Sequence, residues 1–328
     1  AAPVLGRNPC FNEKIEGICG RIHLPVAPRC NIHCNYCDRK FDCVNEGRPG
    51  VTSAVLSPFQ AIRRLERVME TNPNITVVGF AGPGDPFANA EEVLQTMRLV
   101  RERFPELLLC VSSNGLGMPP HLSALAEIDL AYATVTVNSV EPEVGRNILS
   151  WVHDGGTTHR GRQAAELLLE RQIESIGGLK RQGCLVKVNT VVIPGINDQH
   201  VPRIAEKMAE LGADVQNCMA LYPNPGSRFG NLPEPSPEMM SAVRDEAGKF
   251  LLQLKHCRRC RADAIGLLGE DLSGRFAHSS TEKSRAFPTG TEERPYVAIA
   301  TRDGKLLNRV VGETDCFQIG EESKRISK

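Results

Sequence analysis

An excess of charge of one sign is missing from this sequence: 39 Lys and Arg stand against 39 Asp and Glu, so no bulk positive field argues for nucleic acid. Local basic pairs such as Arg39-Lys40 and Arg258-Arg259 read as solvated or site-adjacent charge, not as a binding stripe. No apolar run is long enough to span a bilayer, and no basic n-region with an apolar h-region opens the chain. Internal repeats and low-complexity tracts are also missing. The expectation is a cytoplasmic protein that engages neither membrane nor nucleic acid. At 328 residues it can bury a full core without staples, as one large α/β barrel or as one domain with a small appendage. Compactness therefore does not require the 12 cysteines, which in an intracellular setting favour metal clusters over disulfides.

Three of those thiols form Cys30-x3-Cys34-x2-Cys37, directly after the apolar run His23 to Pro28. Three soft ligands on one turn can hold three corners of a cubic 4Fe-4S cluster and leave the fourth iron open for chemistry. Zinc sites usually pair C-x2-C with a second knuckle or with histidines, so the unequal spacing counts against zinc. Cys257 and Cys260 keep that alternative open.

Along the chain, residues 1–22 are broken by Gly6, Pro9, Gly17 and Gly20 and read as an irregular arm carrying Cys10 and Cys19. His23 to Pro28 is the first strand candidate. A helix follows from Ser57-Pro58, with Phe59, Ile62, Leu65, Val68 and Met69 on one face. Strands and helices then alternate, the signature of parallel βα units. Further strands are expected at Ile75 to Ala81, Leu107 to Val111, Tyr132 to Val137, Leu185 to Ile193 and Asp214 to Leu221. Helices are expected around Val93 to Val100, Leu167 to Leu179 and Val201 to Leu211. Another begins at Ser236-Pro237 and carries its apolar face through Phe250, Leu251 and Leu254 to the Cys257-x2-Cys260 segment. Six strands are clear, and two weaker candidates after residue 260 would close a ring of eight. The expected organisation is an arm at 1–22, a TIM-like (β/α) barrel at 23–270, a linker at 271–294 and a hairpin-like tail at 295–328, pairing Pro295 to Thr301 with Leu306 to Val311.

The three-cysteine spacing, with Tyr36 before the last thiol, resembles the radical S-adenosylmethionine (SAM) enzymes. Longer segments are more specific: Asn8-Pro9-Cys10-Phe11, Arg21-Ile22-His23, Ala27 through Glu46, Arg48 to Val51, Ala81 to Pro86, Ile193 to Asp198, and His256 through Ala264. From about residue 8 to 272 the chain is similar to the NifB family of nitrogenase cofactor maturases. Asn8 departs from the histidine expected before Pro-Cys, and the tail resembles only the opening of the NifX-like domain that many members append.

The resemblance implies a radical SAM barrel in which an open iron chelates SAM and passes an electron to its sulfonium. It also implies two further 4Fe-4S clusters, fused around a SAM-derived carbide with added sulfide into an 8Fe core. Carried over by position, Cys30, Cys34 and Cys37 hold the SAM cluster; His23, Cys43 and Cys110 hold one substrate cluster, and Cys10, Cys257 and Cys260 the other. Tyr36, Gly82, Gly84, Asp85, Ser113, Asn114 and Asn138 are the SAM-contact candidates, and Glu46 and Arg48 the candidates for proton handling. Cys19 is a candidate extra ligand, otherwise a free thiol like Cys184, Cys218 and Cys316. Implied partners are iron-sulfur donors, carrier or scaffold proteins of nitrogenase assembly, and an electron donor such as ferredoxin. Two rival readings stay open: a radical SAM enzyme modifying a peptide or small molecule with auxiliary electron-transfer clusters, and a non-enzymatic iron-sulfur carrier.

Overall fold

Apolar residues at every second position build one central sheet, seen in a computed structural model that describes residues 6–45 and 50–276, and the backbone of 296–301 and 316–321. Its strands are β1 (Gly20–His23), β3 (Ile75–Phe80), β4 (Leu108–Ser113), β5 (Tyr132–Thr136), β8 (Leu185–Val192), β9 (Val215–Ala220) and β10 (Ile265–Gly266). The spatial order is β10-β1-β3-β4-β5-β8-β9, with all pairs parallel except the antiparallel pair β1·β10. Five of the six expected strands are present, and the first is displaced toward the N-terminus. The ring of eight does not form: β10 adds only two residues outside β1, leaving an open half-barrel.

β1 starts three residues before the predicted strand and ends where that one begins, so the expected arm boundary at residue 22 falls inside it. Pro25 and Pro28 lack the N–H a ladder needs, and the chain leaves the sheet there. β2 (Ile32–Cys34), β6 (Leu149–Asp154) and β7 (Thr157–His159) form a separate antiparallel sheet. The β6–β7 turn, Gly155-Gly156, has φ +54° and +83°, the left-handed pair that a two-residue hairpin demands.

Helices α1 (Pro58–Met69), α2 (Ala90–Arg103), α3 (Leu122–Glu127), α4 (Pro142–Ile148), α5 (Gly161–Arg181), α6 (Val201–Glu210) and α7 (Pro237–Ala247) fill the connections. α1 opens on a capping box: Ser57 N donates to Gln60 Oε1 (2.9 Å) while Gln60 N donates to Ser57 Oγ (3.4 Å). Ala61, Leu65 and Val68 face the sheet, but Phe59, expected on that face, is 62% exposed. α7 stops at Ala247, before Gly248, so Phe250 lies beyond it and is exposed. No helix among the described residues is long and apolar enough to cross a membrane.

Strand alternation decides where chemistry can occur. Leu109, Val111, Ala133, Val135, Val186 and Val188 join the helix-facing core. Their neighbours face the hollow of the half-barrel in registered rows. His23, Gly79, Cys110 and Tyr132 form one row, Ser112, Thr134, Lys187 and Val215 the next, and Thr136, Asn189 and Asn217 a third.

Residues Ala1–Ala277 form one compact unit and His278–Lys328 a second. In the second, β11 (Tyr296–Thr301) pairs antiparallel with β12 (Cys316–Glu321). The predicted partner strand at Leu306 to Val311 lies outside the described residues, as do 277–294 of the expected linker.

Candidate metal-cluster centre

Two adjoining hollows collect the thiols. Cys30, Cys34, Cys37 and Cys43 line the first, together with Tyr36, Gly84, Asp85 and Asn114. Cys37 N donates to Cys34 O (3.0 Å), closing the turn that brings the thiols together. Burial pushes the Cys30 thiol up to about 12 and those of Cys34 and Cys37 upward as well. Protonated thiols must give up their protons to bind iron, so loading is coupled to proton release. The donor set fits a cubane with one open iron: three convergent thiols and space beyond them.

The loop after β3 is clamped onto this turn through its backbone. Gly84 N donates to Ala27 O (2.6 Å), Asp85 N to Arg29 O (2.7 Å) and Cys43 N to Pro83 O (3.0 Å). Asp85 is buried with its carboxylate consumed: it accepts from Phe87 N (2.9 Å), Asn114 N (2.7 Å) and Ser113 Oγ (3.0 Å). Tyr36 is likewise sealed in, receiving Asn138 Nδ2 and donating to Asn45 Oδ1, both at 2.7 Å. Asn138 Oδ1 accepts from Val191 N (2.8 Å). Asp85, Tyr36, Ser113 and Asn138 thus tie the cysteine turn to the strand ends, and Gly82 is buried behind them. Asn114 does reach the centre, donating to Asn31 Oδ1 (2.7 Å) with Cys30 Sγ 3.9 Å away. It also lines the neighbouring hollow with Cys34, Asn45 and Asn138. Glu46 and Arg48 lie outside the described residues.

The second cavity is lined by Cys10, His23, Cys110, Cys257 and Cys260. Members of both expected triads therefore share one space, while Cys43 faces the other; Ser112 lines both. The arm reaches this cavity because Phe11 packs on Tyr132, ring centroids 4.9 Å apart, and His256 Nε2 meets Pro9 O at 2.9 Å. Arg21, buried beneath, donates to Cys260 Sγ (3.0 Å) and to the Leu267 carbonyl (2.9 Å). Cys19 is buried and lines neither cavity, which leaves it with Cys184 and Cys218. Among the described residues no three His, Cys, Asp or Glu are grouped to hold a single metal ion.

His23 is prepared as a ligand by what surrounds it. Its Nδ1 stands 3.0 Å from the Arg261 carbonyl oxygen, which can only accept, so Nδ1 carries the proton and Nε2 keeps its lone pair. Burial, reinforced by Arg21, lowers its pKa to about 4, which keeps the ring neutral at pH 7. A Cβ on Gly79 would stand 2.6 Å from His23 Cδ2 and 3.1 Å from Nε2. Gly79→Ala is therefore expected to displace the imidazole, at about 1–3 kcal/mol of stability. Thermal melting should register the cost, and iron retained after desalting should fall.

The Radical SAM superfamily signature matches residues 24–208. The FeMo cofactor biosynthesis protein NifB of Chlorobaculum tepidum is 51% identical over 312 residues, 95% of this chain and 74% of that protein. The protein of the same name from Klebsiella pneumoniae is 43% identical over 335 residues, 95% of this chain and 72% of that one. The chain belongs to the NifB family. With the radical SAM domain of this family come a 4Fe-4S cluster and SAM as cofactors.

Residues missed in the sequence become visible in this NifB-family centre. Thr134, Lys187, Asn189 and Asn217 sit at alternating places on β5, β8 and β9, and that polar alternation was their signal. Gln172 on α5 binds the carbonyls of Asn114 (3.0 Å) and Thr136 (2.8 Å), fixing two strand ends. Asp263 locks the return of the Cys257–Cys260 segment, accepting from Ser53 N (3.0 Å), Ser53 Oγ (2.8 Å) and Arg261 Nε (2.8 Å). Burial alone would raise its pKa, but those bonds prevail and hold it down at about 2. Its stabilisation is full above its unfolded pKa of about 3.9 and is lost as pH falls toward about 2. Asp263→Asn is expected to cost about 2 kcal/mol at pH 7. Melts at pH 7 and pH 3 should show the gap between parent and variant narrowing in acid.

Proposed function

We propose that this chain builds the iron-sulfur core of the nitrogenase cofactor, taking two 4Fe-4S clusters as substrate and joining them around a carbon from SAM, with added sulfide, into an 8Fe unit. The observation that carries the reading is the cavity with five soft ligands beside the Cys30–Cys37 turn. The names of the relatives, FeMo cofactor biosynthesis proteins, agree with it.

Cys30, Cys34 and Cys37 hold the resident cluster, which when bound supplies the electron for SAM cleavage. Gly84, Asn114, Tyr36 and Asp85 line the space where SAM meets it, and the hydrogen bonds of Asp85, Tyr36, Ser113 and Asn138 keep the turn in position. Cys10, Cys257 and Cys260 hold one substrate cluster. His23, Cys43 and Cys110 hold the other, which sits toward SAM because Cys43 belongs to the SAM-side hollow. His23 contributes a neutral donor that can be exchanged when the joined product leaves. Iron-sulfur donors, a carrier protein of nitrogenase assembly and a ferredoxin-like electron donor complete the cycle.

Incubation with methyl-deuterated SAM and dithionite tests the reading. Deuterium is expected in 5′-deoxyadenosine, together with S-adenosylhomocysteine from methyl transfer. Unlabelled 5′-deoxyadenosine without S-adenosylhomocysteine would favour a peptide or small-molecule substrate, and neither product would point to a carrier.

A further inference from the structure

Arg21 is 2% exposed, and its guanidinium is held in one orientation. It stands on β1 directly opposite Gly266 of β10, two residues before His23 and on the same face of the strand. Nη1 donates to the carbonyls of Gly266, Leu267 (2.9 Å) and Glu270 (3.4 Å), and Nη2 donates to Cys260 Sγ at 3.0 Å. The three carbonyls converge because the chain turns back after β10. Gly266 makes that turn with φ +107°, and a Cβ there would stand 3.3 Å from the Glu270 oxygen. The two-residue strand β10 and its turn thus grip one edge of a planar fork whose other edge meets a candidate ligand thiol. A guanidinium stays charged when buried, and its rigid donor geometry loses less freedom per bond than a flexible ammonium. Burial is the largest influence on Cys10 and His23, and the charge of Arg21 reaches both as well, favouring the thiolate of the first and the neutral ring of the second.

We propose that Arg21 is the positioning residue of the Cys10, Cys257 and Cys260 site: it holds the Cys260 sulfur toward the cavity, slows release of the substrate cluster and raises that cluster's reduction potential. The assignment rests on the two-cluster reading above and names a residue that reading does not use. A charged N–H on a ligating sulfur draws electron density from it, which stabilises the reduced, more negative cluster. Between His256 and Asp263, which are tied to Pro9 and Ser53, the segment belongs to no strand or helix, and Cys257 and Arg258 are exposed. The contact with Arg21 fixes Cys260 within it.

The test uses the full chain, anaerobically reconstituted, as parent, Arg21→Met and Arg21→Lys. Iron and labile sulfide are counted after desalting, and iron loss to a chelator is timed. Potentials of the cluster signals that SAM does not perturb are titrated by electron paramagnetic resonance. Arg21→Met is expected to lose about four irons per chain roughly tenfold faster than the parent, the effect of one lost charged hydrogen bond. One of those potentials should move negative, while the SAM-responsive signal of the Cys30 turn is unchanged. Arg21→Lys, which keeps the charge, is expected to recover part of both losses. Equal release rates and potentials in parent and Arg21→Met would overturn the assignment alone. So would the absence of any recovery in Arg21→Lys, or loss of the SAM-responsive signal with the rest, since either marks the effect as a disrupted fold. A parent holding only about four irons would overturn the two-cluster reading as well.

Discussion

Gly84→Ala is expected to abolish loading of the SAM cluster. The added Cβ would stand 2.1 Å from the Arg29 carbonyl oxygen, 2.6 Å from its carbon and 2.9 Å from the Ala27 oxygen. These are backbone atoms one to three residues before Cys30, so no side chain can swing aside. Either the clamp formed by Gly84 N–Ala27 O and Asp85 N–Arg29 O opens, or the cysteine turn shifts. The steric cost is about 3 kcal/mol or more, at the upper end for overpacking. Anaerobic reconstitution should yield no SAM-responsive signal in electron paramagnetic resonance, while circular dichroism keeps its α/β character because β4, β5, β8 and β9 do not depend on the clamp. Parent-like SAM cleavage in this variant would mean that the close approach is incidental.

The second large effect concerns the other cavity. Cys257→Ser combined with Cys260→Ser is expected to remove about four irons per chain and to eliminate joined product, while reductive cleavage of SAM persists. Serine keeps an acceptor for Arg21, which donates to Cys260 Sγ at 3.0 Å, so the buried guanidinium is not stranded. The exposed side of the segment, including Cys257, tolerates the change without a packing loss. Iron analysis paired with 5′-deoxyadenosine assay separates the two sites: iron falls and the nucleoside remains.

Much of this architecture was legible because local signals and tertiary packing agree. Ser57 and Pro58 announce α1, and the apolar strands from Ile75 onward fold within one or two residues of expectation. Disagreement arises where one residue type serves two structural ends. Phe59 fits the apolar period of α1 yet points to solvent, and Phe250 lies beyond a helix that ends at Ala247. The β6–β7 hairpin was readable from Gly155-Gly156 flanked by alternating residues, but nothing local says that it pairs with Ile32–Cys34.

The centre divides in the same way. Spacing and family likeness pointed to Cys10, His23, Cys110, Cys257 and Cys260, and the half-barrel gathers these five around one cavity. Polar groups at strand ends carry no such mark. Asp85 and Tyr36 line the hollow beside the cysteine turn, and the hydrogen bonds that Asp85, Tyr36 and Asn138 also make within the chain leave no trace in the local sequence. Gly79 and Lys187 are silent in isolation and acquire meaning only through register: one leaves space for the His23 ring, the other places a cation in the next row.

The central claim is that metal sulfide is the substrate, held by ligands separate from the Cys30–Cys37 turn. Iron and acid-labile sulfide per chain, measured after anaerobic reconstitution and desalting, test it most directly. About twelve irons are expected, the content of three 4Fe-4S clusters, whereas about four irons, accounted for by Cys30, Cys34 and Cys37 alone, would rule out metal sulfide as the substrate.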